Sequence, residues 1–347
     1  MLKSATIKNF GPLPSGEYKF APGLNVVVGE NGLGKTQLIK LLYTLLKVQA
    51  DSKELTKTAL QKDCADKLVN VFRPNSLGRL VTRRQGHDRC ELALSMKDPK
   101  QNLSISFATR SSSSVQVDCL PEKALVQSPA FLPTRELLTL CPWFGPLYDN
   151  YDVPFEESWR DTVSLLGNPA LKGPRATIAA ELLMPLEEAM GGKVVVDTAS
   201  KRFYLQLPGE GKMEMPLVAE GMRKIAMLAR LISTGTLLEQ GYLFWDEPET
   251  NLNPRLIRKI AASIMSLCRQ GIQVFIATHS YFLLKELDLL SRQQPVAQRY
   301  IGLSLDDARQ VQCEQVDSLA ELTCLVALDE ELAQYDREME ISHDAAG

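Results

Sequence analysis

The chain has 347 residues, of which 45% are hydrophobic and 23% charged, with a formal net charge of -3. That balance suits a globular protein with one large or two modest cores and excludes a global positive field that would draw nucleic acid or anionic membrane. No apolar run approaches the roughly 20 residues of a bilayer-crossing helix. The opening MLKSATIKNFGPL lacks a secretory core, so a cytoplasmic location with no membrane attachment is expected.

The seven cysteines, Cys64, Cys90, Cys119, Cys141, Cys268, Cys313 and Cys324, form no C-x-x-C pair and read as reduced core fillers. The three histidines are too dispersed to suggest zinc.

In chain order, residues 4–10 alternate polar and apolar and Leu24 to Val28 is a continuous apolar run, which predicts two strands, the second buried. Leu38, Leu41, Leu42, Leu45 and Leu46 recur at helical spacing after the glycines end, so a helix is predicted over 35–47. The short alternating segments CELALSM, LSISFAT and VQVDCL, separated by turn-formers, predict an antiparallel β-subdomain between about residues 80 and 125. An aromatic and proline-rich passage, CPWFGPLYDNYDVPFEESW, and a helical pattern over 176–190 follow; they predict a helical insertion, with a partner-docking surface as the competing reading. Short strands are predicted at 194–196 and 203–207, then a helix over 221–239. Strand 242–245, helix 254–268, strand 274–277 and helix 280–290 alternate after it, which implies a parallel, helix-covered sheet.

Residues 29–36 spell GENGLGKT, which fits G-x-x-x-x-G-K-[ST] in the strand-to-helix setting that the motif needs. Glycines let the backbone curl until successive N–H groups face one anion, and the following helix dipole adds its positive end. Gly29, Glu30, Asn31, Gly32, Leu33, Gly34, Lys35, Thr36 and Gln37 are the candidate nucleotide-binding residues. In that pattern Lys35 reaches the β and γ phosphates, and the Thr36 hydroxyl ligates Mg2+.

Asp246 and Glu247 follow an apolar strand in GYLFWDEPETNLNP. Two adjacent carboxylates there are costly to bury without a cation, so a metal and a water are their natural partners. Asp246 is read as the second Mg2+ holder and Glu247, facing the other way on an extended backbone, as the group that polarises the attacking water. His279 closes the next predicted strand and meets the acidic pair if the two strands are neighbours.

With IKNFGP, GENGLGKT, AEGMRKIAMLARLI, WDEPETNLNP and FIATHS in this order, the chain resembles the ABC-type ATPases of the RecF, SMC, Rad50 and OLD-nuclease group. The resemblance implies an α/β P-loop ATPase head with a parallel core sheet, an antiparallel β-subdomain and a helical insertion. It also implies a homodimer that sandwiches two Mg-ATP molecules, each site completed by the partner's signature segment. Ala219, Glu220 and Gly221 occupy that signature, with alanine where serine is usual and a plain helix start as the alternative. A metal-sensing glutamine is expected near VQSPAFLPTRE, with Gln127 as candidate.

The expected organisation is one ATPase domain. It comprises an amino-terminal lobe over 1–130, an insertion with a short hairpin over 131–215, and a carboxyl-terminal lobe over 216–347. Three readings of its task stand side by side. The first is the engine subunit of a prokaryotic defence or toxin-like complex, controlling a separate nuclease-like effector. The second is a DNA-repair ATPase that binds DNA through Arg79, Arg83, Arg84 and Arg89 on a predicted hairpin. The third is a transporter's nucleotide-binding subunit, disfavoured by the IKNFGP and DEPETNLNP segments. The acidic stretch ALDEELAQYDREMEISHDAAG reads as a surface helix or an effector-docking element.

Overall fold

The computed structural model describes residues 1–52, 54–82, 88–126, 128–197, 199–238 and 241–344. Strands β1 (Leu2–Lys8) and β2 (Gly16–Lys19) pair antiparallel, and β3 (Leu24–Gly29), buried throughout, leads through the glycine loop into α1 (Lys35–Asp51). A helix that the pattern reading left unassigned, α2 (Lys57–Phe72), buries Leu60, Cys64, Leu68 and Val71. The Thr56 side chain caps it by accepting from the Ala59 N–H at 3.3 Å.

The predicted β-subdomain forms as β4 (Arg89–Met96), β5 (Leu103–Ala108) and β6 (Gln116–Cys119), and it incorporates the first two strands in the order β2-β1-β4-β5-β6. The expected arginine hairpin is corrected. Arg79 sits in a 3-10 turn over Leu77–Leu80, while Arg89 opens β4 and donates to the Ser106 and Gln116 side chains. Arg83 and Arg84 lie outside the described residues.

After β7 (Ala130–Leu132) come α3 (Cys141–Asn150), α4 (Glu157–Gly167) and α5 (Pro174–Met190), then the antiparallel strands β8 (Lys193–Val196), β9 (Phe203–Leu207) and β10 (Gly211–Glu214). Helix α6 (Glu220–Ser233) stops short of the expected residue 239. Gly235 takes φ +77° and turns the chain there, a conformation that L side chains adopt only under strain. β11 (Tyr242–Asp246), α7 (Pro254–Arg269), β12 (Gln273–Thr278) and α8 (Tyr281–Gln293) follow as the alternation implied. Two further strands, β13 (Gln298–Leu305) and β14 (Val311–Val316), and helix α9 (Val326–Asp344) complete the order.

The central sheet runs β14-β13-β3-β12-β11-β7 and is parallel except for the antiparallel edge β14. Its period-two alternation feeds two cores. Val26, Trp245, Ile276 and Tyr300 face the core that includes α5 to α8. Val27, Phe244, Phe275 and Ile301 face the core that includes α1, α2 and the antiparallel sheet. Burial on both faces explains why these strands read as continuous apolar runs.

The helical insertion is tied to α1 and α2 by polar contacts. The Tyr43 hydroxyl donates to Asp161 at 2.7 Å, Lys67 donates to Glu157 at 2.9 Å, and Lys40 pairs with Glu156. Its aromatic passage is chiefly packing. Phe144 is fully buried, with ring centroids 5.3 Å from Phe155 and 6.3 Å from Trp159. Phe144→Ala is expected to destabilise the protein by about 3 to 5 kcal/mol through the cavity it leaves. A thermal midpoint equal to that of the wild type would show that the cluster is not structural.

Candidate functional site

The glycine loop curls because three of its glycines take positive φ, +147° at Gly29, +85° at Gly32 and +101° at Gly34. Gly29 has a second reason to lack a side chain, since a Cβ there would sit 2.2 Å from the Leu303 carbonyl oxygen of β13. Lys35 folds back into the loop and donates to the Gly29 and Glu30 carbonyls at 2.8 and 2.9 Å. Desolvation lowers its pKa, while Glu247, Asp246, Glu249 and Glu30 pull it back up.

β11 and β12 are parallel neighbours, with Asp246 level with Ala277, so the acidic pair and His279 leave the same edge of the sheet. The Thr36 hydroxyl donates to both Asp246 carboxylate oxygens, at 2.9 and 3.1 Å. Burial raises the Asp246 pKa, opposed by the Thr36 hydrogen bond. Glu247 holds a left-handed backbone at φ +45°, a conformation that costs energy for a non-glycine residue. Its Oε1 lies 3.4 Å from His279 Nδ1, and its Oε2 accepts from Thr250 Oγ1 at 3.2 Å. Phosphate loop, metal-type oxygens, acid and histidine therefore converge in one place.

The residues present fit a magnesium ion. Thr36 and Asp246 offer hard oxygen donors at one point, and Mg2+ takes one or two protein carboxylate or hydroxyl oxygens together with phosphates and waters.

Four contributors escaped the sequence reading. Thr134, just past β7, donates to Asp246 Oδ2 at 3.3 Å. It lies in the segment expected to supply the metal-sensing glutamine, and Gln127 itself is outside the described residues. Glu249, buried, accepts from Thr278 Oγ1 at 2.6 Å, and that same hydroxyl accepts from the Ser280 N–H at 3.0 Å, so the backbone on both sides of His279 is anchored. The signal was an acid two positions past Glu247.

The fourth is Lys224, fully buried in the first turns of α6. It donates to the Glu247 carbonyl at 2.8 Å and the Thr250 carbonyl at 3.1 Å. Desolvation lowers its pKa to about 8, against the raising influence of Glu249, Glu247 and Asp246. Beside it, Arg223 pairs with buried Glu136 at 3.4 Å.

Ala219, Glu220 and Gly221 make no hydrogen bond to the glycine loop among the described residues. They form the start of α6, against the loop after the acidic pair, where a Cβ on Gly221 would meet the Asn251 carbonyl oxygen at 2.5 Å. Asn251 is itself left-handed at φ +64°.

Comparison with known proteins agrees with this geometry. Residues 129–285 match the family described as "AAA domain, putative AbiEii toxin, Type IV TA system", and residues 1–82 match "AAA ATPase domain". The first span contains Asp246, Glu247 and His279, and the second the whole glycine loop. Among curated proteins, the DNA repair protein RecN of Xylella fastidiosa (strain 9a5c) is 30% identical over 93 residues, 26% of this chain and 17% of that protein. The alignment thus spans only a small part of that relative's length.

Among solved structures, the SmcHead bound to the C-winged helix domain of ScpA is similar with a TM-score of 0.58 and 13% identity, over 92% of this chain and 98% of that one. The Smc head domain with an extended coiled coil, bound to the C-terminal domain of ScpA derived from Pyrococcus furiosus, gives a TM-score of 0.54 at 10% identity, over 97% and 99%. Two parts of the chain thus match AAA-type ATPase domain models, and its fold is similar to that of the SMC heads.

Replacing Lys224 by methionine strips the Glu247 and Thr250 carbonyls of their buried donor. It is expected to cost about 2 kcal/mol or more, read as a lower midpoint of chemical unfolding. An unchanged midpoint would mean that water or another donor serves those carbonyls.

Proposed function

We propose that this chain is a magnesium-dependent ATPase that works as the engine subunit of a larger assembly. The observation that carries the reading is the direct contact of the Thr36 hydroxyl with the Asp246 carboxylate, with Glu247 next in sequence and 3.4 Å from His279. Gly29 to Gln37 bind the triphosphate, and Lys35 exchanges the Gly29 and Glu30 carbonyls for phosphate oxygens. Thr36 and Asp246 would hold Mg2+, which would neutralise charge on the phosphates. Glu247 orients the attacking water and takes its proton, and His279 contacts the γ-phosphate or that water. Lys224 and Thr250 fix Glu247 from its carbonyl and its carboxylate.

The single-domain organisation over 1–347, with divisions near 130 and 215, belongs to this proposal, as does a homodimer completed by Ala219, Glu220 and Gly221 of the partner copy. In place of the usual serine, Ala219 removes one hydroxyl contact, leaving the Gly221 backbone and the helix start to face phosphate. A cytoplasmic setting is part of the same proposal. A prokaryotic defence or toxin-like role, with ATP state controlling a separate nuclease-like effector, is supported by the AbiEii-type match over 129–285. Direct DNA binding is the second reading, favoured by the RecN match and by exposed Arg79 and Arg89.

Glu247→Gln is expected to keep nucleotide binding and to slow phosphate release by about a hundredfold or more. Calorimetry and a phosphate-release assay on one preparation read the two effects, and undiminished release would refute the assignment of Glu247.

A further inference from the structure

Helix α9 presents two faces with different surroundings. On one, Val326, Ala327 and Glu330 line a cavity of about 350 Å3 together with Gly29 to Asn31 of the glycine loop and with His279. On the other, Leu328, Leu332, Tyr335 and Met339 follow at spacings of four, three and four, the repeat of a helix seam that packs against a second helix. Leu332, Tyr335 and Met339 are 55%, 59% and 43% exposed, so this stripe is open to solvent for most of its length.

The charges beside the stripe decide what fits it. At helical spacing Glu331 and Glu338 border one edge and Asp329 and Asp336 the other, while the single cation of this stretch, Arg337, points away from the seam. A second copy of α9 would set acids against acids on both flanks, an arrangement that disfavours pairing. A helix with an apolar stripe and lysines or arginines beside it would match on all counts. The seam spans about three turns, so the contact is of the small, transient size class.

We propose that the outward face of α9 is a docking seam for a basic amphipathic helix of another protein. The seam is built on the helix that walls the nucleotide loop and His279. Docking requires neither bound nucleotide nor hydrolysis, so it stands or falls separately from the ATPase assignment.

The test uses the full chain without nucleotide and a fluorescein-labelled designed peptide of about three heptads, with leucine at the seam positions and lysine at the flanks. Two controls accompany it, one with glutamate flanks and one lysine-rich with the leucines scrambled. Anisotropy is expected to show the designed peptide binding at least about tenfold tighter than either control. Leu332→Ser with Met339→Ser, both at exposed positions, should remove that advantage. Glu331→Lys with Asp336→Lys leaves one acid and one base on each edge and should remove the preference for lysine over glutamate flanks. Equal binding of the scrambled peptide, or an advantage that survives the serine pair, overturns the proposal. So does sedimentation showing that wild-type chains self-associate through this seam while the designed peptide fails to bind.

Discussion

A carboxylate buried at the end of a parallel strand must find donors or a cation, and the candidate site is arranged around that requirement at Asp246. Thr36 reaches it from the first turn of α1, and Thr134 from the segment after β7. Three stretches far apart in sequence are thereby held at one carboxyl group. The same contacts hold the acid beside the first turn of α1, directly after the glycine loop.

A second requirement is imposed by Glu247, whose left-handed backbone needs support from outside its own strand. The support comes from α6. Lys224 binds the carbonyls of Glu247 and Thr250, and Gly221 allows the helix start to approach the Asn251 carbonyl without a clash. Arg223, one residue before Lys224, holds Glu136 in the segment that also supplies Thr134. The first turn of α6 is therefore linked to Glu247 by hydrogen bonds and to the segment beside Asp246 by an ion pair. The three residues Gly221, Arg223 and Lys224 lie within one turn of helix, so the start of α6 supports the chain's own site.

The central sheet explains why so much chemistry collects at one edge. Parallel strands β3, β11 and β12 all end there, and the loops that follow them carry the glycine curl, the acids and the histidine. β13 adds a constraint of its own, since its Leu303 carbonyl lies where a side chain at Gly29 would sit. The first glycine of the phosphate loop is thus dictated by packing as well as by phosphate geometry.

Much of this was legible in the residues. Buried parallel strands write themselves as apolar runs, so β3, β11 and β12 were located within a residue or two, and GENGLGKT, Asp246, Glu247 and His279 fell at their ends with only the neighbour relation of β11 and β12 to be assumed. Less visible was α2, whose stripe is interrupted by charged residues. β7 is too short to show a period, and β13 with β14 lies beyond the last motif. What the tertiary structure alone decided are contacts between distant segments, namely Thr134 on Asp246, Lys224 on the Glu247 carbonyl, and Glu249 on Thr278. Local periodicity records which face of a strand or helix is buried. It carries no record of which backbone carbonyl a buried lysine will meet, because that partner is chosen by how the elements pack.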